Sequence, residues 1–439
     1  MSQIKIPKRI LSQLLNSLLA GVVPRAGAAY IAIGRNAEIA ALHADMEAIA
    51  DGGSAMRFIV GKYGSGKSFL IQLMRSGACE HGFVTADADL SPERRLSGSN
   101  HSGIATYREL IKNLSVKACP DGGALPSILA KWLGDLRFSA EGEGIAEEDA
   151  DAYVSHRIYD TLHDIESGIG AFDFAKVIKA YYLASVADDE DKKSMCMRWL
   201  RGEYVTKTEA RADLGVGSIV NDENFYDYLK LLAVFFRRIG YSGFLVFLDE
   251  CVNLYKIPNR VSRENNYEKI LSMFNDTMQG KASGIGIIMA GTPQFLEDTR
   301  RGLYSYEALR SRLCPSGYES ELIKSGGFNQ SIGPILRLRR MSDDEFLALI
   351  KRITILFGDY YGKVEISEEE EAEFLRANIM RTGAEIMVTP REMIRDYMAL
   401  LTVMKSNPGT TARELIETRF HGAAQRAATA AAESENVEF

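Results

Sequence analysis

Apolar residues along the chain gather in two kinds of segment. Short runs at Arg57–Val60, Gly82–Asp87, Gly243–Leu248, Gly286–Ala290 and Pro334–Leu338 read as strands. Longer stretches between them carry apolar residues at helical spacing. Short apolar strands alternating with helices predict an α/β protein whose parallel sheet is covered on both faces. The first helix is amphipathic, with Ile10, Leu11, Leu14, Leu15, Leu18 and Leu19 on one face. Lys5, Lys8 and Arg9 before it and Ala26-Gly27-Ala28 after it mimic an export leader, but Gln13, Asn16 and Ser17 interrupt the apolar run. A second helix follows from Asn36 to about Ala50.

The stretch between the second and third strands is far longer than one crossover needs. Helical spacing recurs there over Ala105–Lys117, Leu125–Leu136, Ala146–Ile165, Phe172–Ala187, Lys192–Leu200 and Asn224–Ile239, which predicts a helical insertion at about 91–240. From Ser342 the pattern is helical again. An acidic run at Glu368–Glu371 opens one helix, and Thr389-Pro390-Arg391 opens another. The expected division is a helix and linker over 1–28, a core over 29–340, a helical lid over 341–405 and a helical or frayed acidic tail over 406–439.

Composition narrows the classes. The 439 residues carry 52 Lys and Arg against 59 Asp and Glu, a net charge of −7, so the protein is no general nucleic-acid coat and any such contact needs a local patch. Five scattered cysteines, with no C-x-x-C pair, argue against disulfides and zinc and fit a reducing, cytoplasmic compartment. No apolar run approaches the ~20 residues of a membrane helix.

Gly61-Lys62-Tyr63-Gly64-Ser65-Gly66-Lys67-Ser68 matches G-x-x-x-x-G-K-[ST] between a strand and the helix that begins Phe69-Leu70. Glycines let backbone N–H groups converge on phosphate, Lys67 reaches the β- and γ-phosphates, and the Ser68 hydroxyl ligates Mg²⁺. Asp249-Glu250 closes the third strand, giving one carboxylate for the metal and a neighbour to polarise water. Thr292 follows the fourth strand, placed to orient that water or to cap a helix. Arg310, Arg312 and Arg391 are cations downstream. Lys207–Val216 is a helix-turn fragment, and Arg94-Arg95 with Arg337, Arg339 and Arg340 are possible phosphate contacts.

Together these features resemble the AAA+ type of P-loop NTPase: Walker A, Walker B, a sensor-1 Thr292, arginine-finger candidates and a sensor-2 Pro-Arg in a lid. Gly34-Arg35 looks like the nucleotide-side motif of the initiator and STAND clades. Phe58–Leu70, Ala88-Asp89-Leu90-Ser91-Pro92, Tyr107-Arg108-Glu109-Leu110 and Leu248–Tyr255 are similar to the ATP-binding proteins of BREX phage-defence islands, and Arg211–Val216 fits their shorter, BrxD-type member. The resemblance implies an ATP- and Mg²⁺-dependent ATPase working with other defence proteins. It also implies a homo-oligomer, with Arg312, or alternatively Arg310, reaching a neighbouring site and Arg391 sensing the γ-phosphate within its own subunit. A nucleotide switch with little turnover and a DNA-stimulated loader are the alternatives; the residues after about Leu401 are too few and too alanine-rich for the winged helix of many relatives, so DNA binding would need other residues.

Overall fold

A computed structural model of the chain describes residues 6–98, 101–163, 170–315, 333–381 and 389–419. Two compact units emerge. One combines the chain up to Asn36, Gly61–Leu73 and the chain from Leu338; the other holds Ala37–Val60 and Met74–Arg337.

The larger unit is built on a five-stranded sheet: β1 (Ser54–Val60), β2 (Val84–Asp89), β3 (Phe244–Asp249), β4 (Ile285–Gly291) and β5 (Ile335–Arg337). Every pairing is parallel and the order is β2-β3-β4-β1-β5. All seven residues of β4 and the first five of β3 are buried, which explains why both read as unbroken apolar runs rather than alternating ones. Helices cover the sheet as expected for a parallel one. The strand expectations therefore hold, each within a few residues.

Among the described residues, seven helices lie between β2 and β3: α4 (Ser102–Lys112), α5 (Leu125–Gly142), α6 (Glu147–His163), α7 (Ala171–Val186), α8 (Glu190–Leu200), α9 (Lys207–Leu214) and α10 (Phe225–Arg238), numbered after α1 (Lys8–Leu19), α2 (Asn36–Ala50) and α3 (Lys67–Glu80). Phe235 on α10 meets Trp132 of α5 and Phe174 of α7 edge-on, with ring centroids 5.2 and 5.3 Å apart, and Phe236 meets Phe244 of β3 at 5.3 Å. Such pairs add ~1 kcal/mol each beyond their buried area, so α10 fastens the other helices to the sheet.

Two helices depart from their expected spans: α5 runs on past Leu136 to Gly142, and α4 stops short. Periodicity predicts a helix to Lys117, but α4 ends at Lys112 and Ser115 exchanges backbone hydrogen bonds with Thr85 on the outer edge of β2, at 2.9 and 2.8 Å. An unpaired strand edge outcompetes a marginal last helical turn. The end of the expected Ala146–Ile165 helix lies outside the described residues.

In the smaller unit α1 buries Leu11, Leu14, Leu15 and Leu18 in a core shared with Ile353 and Leu356 of the Asp343–Tyr361 helix and Tyr397 and Leu401 of the Pro390–Ser406 helix. Both of these later helices open with a full capping box, Ser342 with Glu345 and Thr389 with Glu392. A third helix, Glu368–Arg381, opens on the four acids expected of it. No helix among the described residues is long and apolar enough to cross a membrane.

Candidate nucleotide site

The glycine-rich loop begins one residue after β1 ends. Gly64 and Gly66 take φ of +76° and +90°, a backbone region costly for residues with a Cβ. A Cβ on Gly61 would lie 2.2 Å from the Ser65 hydroxyl, so no other residue fits there without displacing the loop. That hydroxyl is buried and has no hydrogen-bond partner among the described residues. Lys67, the first residue of α3, folds back so that its Nζ donates to the carbonyls of Gly61 at 3.0 Å and Lys62 at 3.2 Å. The ammonium is thus held over the loop, at the positive end of a 14-residue helix. Ser68 follows on the first turn, and Lys62 and Tyr63 are exposed at the loop tip.

Gly34 and Arg35 support this loop. Arg35 is 5% exposed, and one of its terminal nitrogens donates to the Ser65 carbonyl at 2.7 Å and the Arg339 carbonyl at 3.0 Å. The same guanidinium therefore ties the phosphate loop to the chain entering the Asp343–Tyr361 helix. Gly34 adopts φ +72°, and a Cβ there would lie 2.2 Å from a Glu345 oxygen. Glu345 in turn accepts from Arg339 and from the Ser342 N–H, and these donors hold its carboxyl below the usual range. Thr389 completes the surround: a Cβ on Gly64 would meet its methyl at 2.9 Å, so the start of the Pro390–Ser406 helix packs on the loop. Arg391 lies in the first turn of that helix and is exposed.

The acidic pair lies on the larger unit. Asp249 ends β3, opposite Asp89 of β2 in register. Glu250 is exposed and takes φ +54°, and its N–H donates to the Asp249 carboxylate at 2.7 Å. A left-handed glutamate is uncommon and is held only where its surroundings impose it. Two bonds do so: the Leu90 N–H donates to the Asp249 carbonyl at 3.0 Å, and the Asn253 amide donates to the Leu90 carbonyl at 2.8 Å. Partial burial, then Asp249, Asp87 and Glu250, push the Asp89 carboxyl above its ordinary range against Arg94. The Cys251 thiol, fully buried behind the pair, is pushed up as well and is inert.

Thr292 follows β4, beside β3 in the sheet, and its hydroxyl caps the helix Pro293–Glu297, accepting the Phe295 N–H at 3.4 Å. Arg312 bends back onto its own chain, its Nε donating to Asn275 at 3.0 Å and an Nη to the Ala308 carbonyl at 2.6 Å. Arg310 is exposed, with Glu307 3.8 Å away as a loose partner. Asp89, Asn253 and Thr389 received no role from sequence. Asp89 sits in a quoted block, whereas the contacts of Asn253 and Thr389 join residues 163 and 325 positions apart and leave no local signal.

A family described as BREX system ATP-binding protein BrxC/D matches residues 6–419. The chain belongs to this family. No curated protein matches it. The BREX membership carries ATP binding in phage defence with it.

Proposed function

We propose that this BREX protein is a Mg²⁺-dependent AAA+ ATPase whose hydrolysis drives assembly or remodelling within a defence complex. The observation that carries the reading is Glu250, an exposed carboxylate locked in a left-handed conformation at the carboxyl end of β3 and braced by its own N–H on Asp249. Ligands of open parallel sheets bind at that end of the strands. The order β2-β3-β4-β1-β5 supports the AAA+ assignment.

In this reading the loop N–H groups and Lys67 bind the β- and γ-phosphates, releasing the ammonium from the two carbonyls that now hold it. Ser68 and Asp249 are hard oxygen donors, the kind Mg²⁺ takes alongside phosphate and water, and they would hold the ion. The ion supplies neutralisation of phosphate charge. Glu250 accepts a proton from the attacking water and Thr292 orients that water. Arg391 approaches the γ-phosphate from the lid. Arg310, freer than Arg312, is the better placed to reach a neighbouring copy, so activity should grow with oligomerisation.

Glu250→Gln keeps the shape and removes the base. Turnover should fall ~10²–10⁴-fold while ATP binding measured by calorimetry is retained. A wild-type protein that holds ATP and shows no turnover above Glu250→Gln would instead establish a nucleotide switch.

A further inference from the structure

A groove of about 570 Å³ opens on the larger unit, between the segment after β2, the helix α4 and the residues that follow α8. Arg94, Arg108, Lys112 and Arg201 line it with Glu109 and Glu203. Four cations against two anions form a positive site on a chain of net charge −7. The volume lies within the ~300–1,000 Å³ of ordinary ligand sites.

The cations are set rather than scattered. Arg108, Glu109 and Lys112 form one stripe of α4 at three- and four-residue spacing. Among the described residues, two guanidiniums hydrogen-bond through Nε alone: Arg94 donates to the Asp89 carbonyl at 3.0 Å and Arg108 to the Gly202 carbonyl at 2.8 Å. Pinning by Nε fixes the plane of the fork and leaves the terminal nitrogens as donors for a ligand. Glu109 stands between Arg94 and Lys112 at 3.7 and 3.8 Å, too far to hydrogen-bond either. Arg201, exposed at the end of α8, makes no side-chain hydrogen bond or ion pair among the described residues.

We infer that this groove binds the phosphodiester backbone of a nucleic-acid strand. Forked arginines held in fixed planes match phosphate oxygens. The two carboxylates choose between anions: they repel the carboxylate side chains of an acidic peptide but accept the exocyclic amino groups that bases carry. The groove shares no lining residue with the glycine-rich loop or with Asp249 and Glu250.

The test is fluorescence anisotropy of labelled 20-mers with the full chain, at salt from about 25 to 200 mM, using single-stranded DNA, duplex DNA and RNA in separate arms. Arg108→Ala/Arg201→Ala is compared with Arg260→Ala, which removes an exposed arginine outside the groove, and melting curves establish that each variant folds. Binding should weaken ~10-fold or more in the double variant, and its log–log salt slope should fall by ~1.4 for a single strand, two lost contacts at ~0.7 each. Arg260→Ala should bind as wild type. Whichever arm binds names the strand type. No binding in any arm at the lowest salt, equal binding by the double variant, or equal competition by polyglutamate would each overturn the proposal.

Discussion

The phosphate loop and the acidic strand end both use left-handed backbone, and they obtain it differently. Gly64 and Gly66 adopt positive φ with no Cβ to resist, and the loop is then secured from outside by Arg35 and Thr389. Glu250 adopts the same region with a full side chain, against a local preference of ~1–2 kcal/mol. Where only backbone is needed, glycine supplies the shape. Where a carboxylate is needed at the bend, the strain is accepted and the neighbouring strands hold it.

The comparison breaks most visibly at Arg35. Arg35→Met keeps the bulk and removes two charge-assisted bonds to carbonyls, so the unit that holds the loop should lose about 2–4 kcal/mol in urea unfolding. ATP affinity should fall together with that loss. Unchanged stability would mean that the loop holds its shape alone.

Glu250→Gly set beside Glu250→Ala isolates the strain. Both remove the carboxylate, but glycine accepts φ +54° freely, so Glu250→Gly should be the more stable by about 1 kcal/mol in thermal unfolding. Equal stabilities would show that the backbone relaxes once the carboxylate is gone.

The smallest effect concerns Glu345. Gln preserves the capping box but not the charge facing Arg339. Because the folded carboxyl titrates below its ordinary value, its contribution is full above the unfolded pKa of ~4.3 and is lost as pH falls through the lower, folded one. Glu345→Gln should thus cost about 1 kcal/mol at pH 7, and the difference from wild type should shrink once the pH falls below ~4.3 and vanish below the folded carboxyl's own pKa.

Much of this was legible in the residues themselves. A strand buried on both faces, such as Ile285–Gly291, announces itself as an apolar run, and Gly61–Ser68 is a local motif whose chemistry follows from its spacing. Pro390 marked the start of the Pro390–Ser406 helix for the same reason. What escaped depends on distant chain. The bond from Arg35 to Arg339 spans 304 positions, so Gly34-Arg35 read as a nucleotide-side motif gives no hint of a brace. Residues 113–117 kept helical periodicity, yet the open side of β2 drew Ser115 into a bridge. The left-handed turn at Glu250 is invisible to residue type, since glutamate does not favour it.

That bridge has a wider consequence. Alternate residues of β2 present backbone away from β3: Thr85 is taken by Ser115, the Asp87 carbonyl by the Asn113 amide and the Asp89 carbonyl by Arg94. Three residues from one connecting segment therefore seal a border that would otherwise template strands from other molecules. In a crowded cell, that seal separates a chain that keeps its sheet to itself from one that clumps with its neighbours.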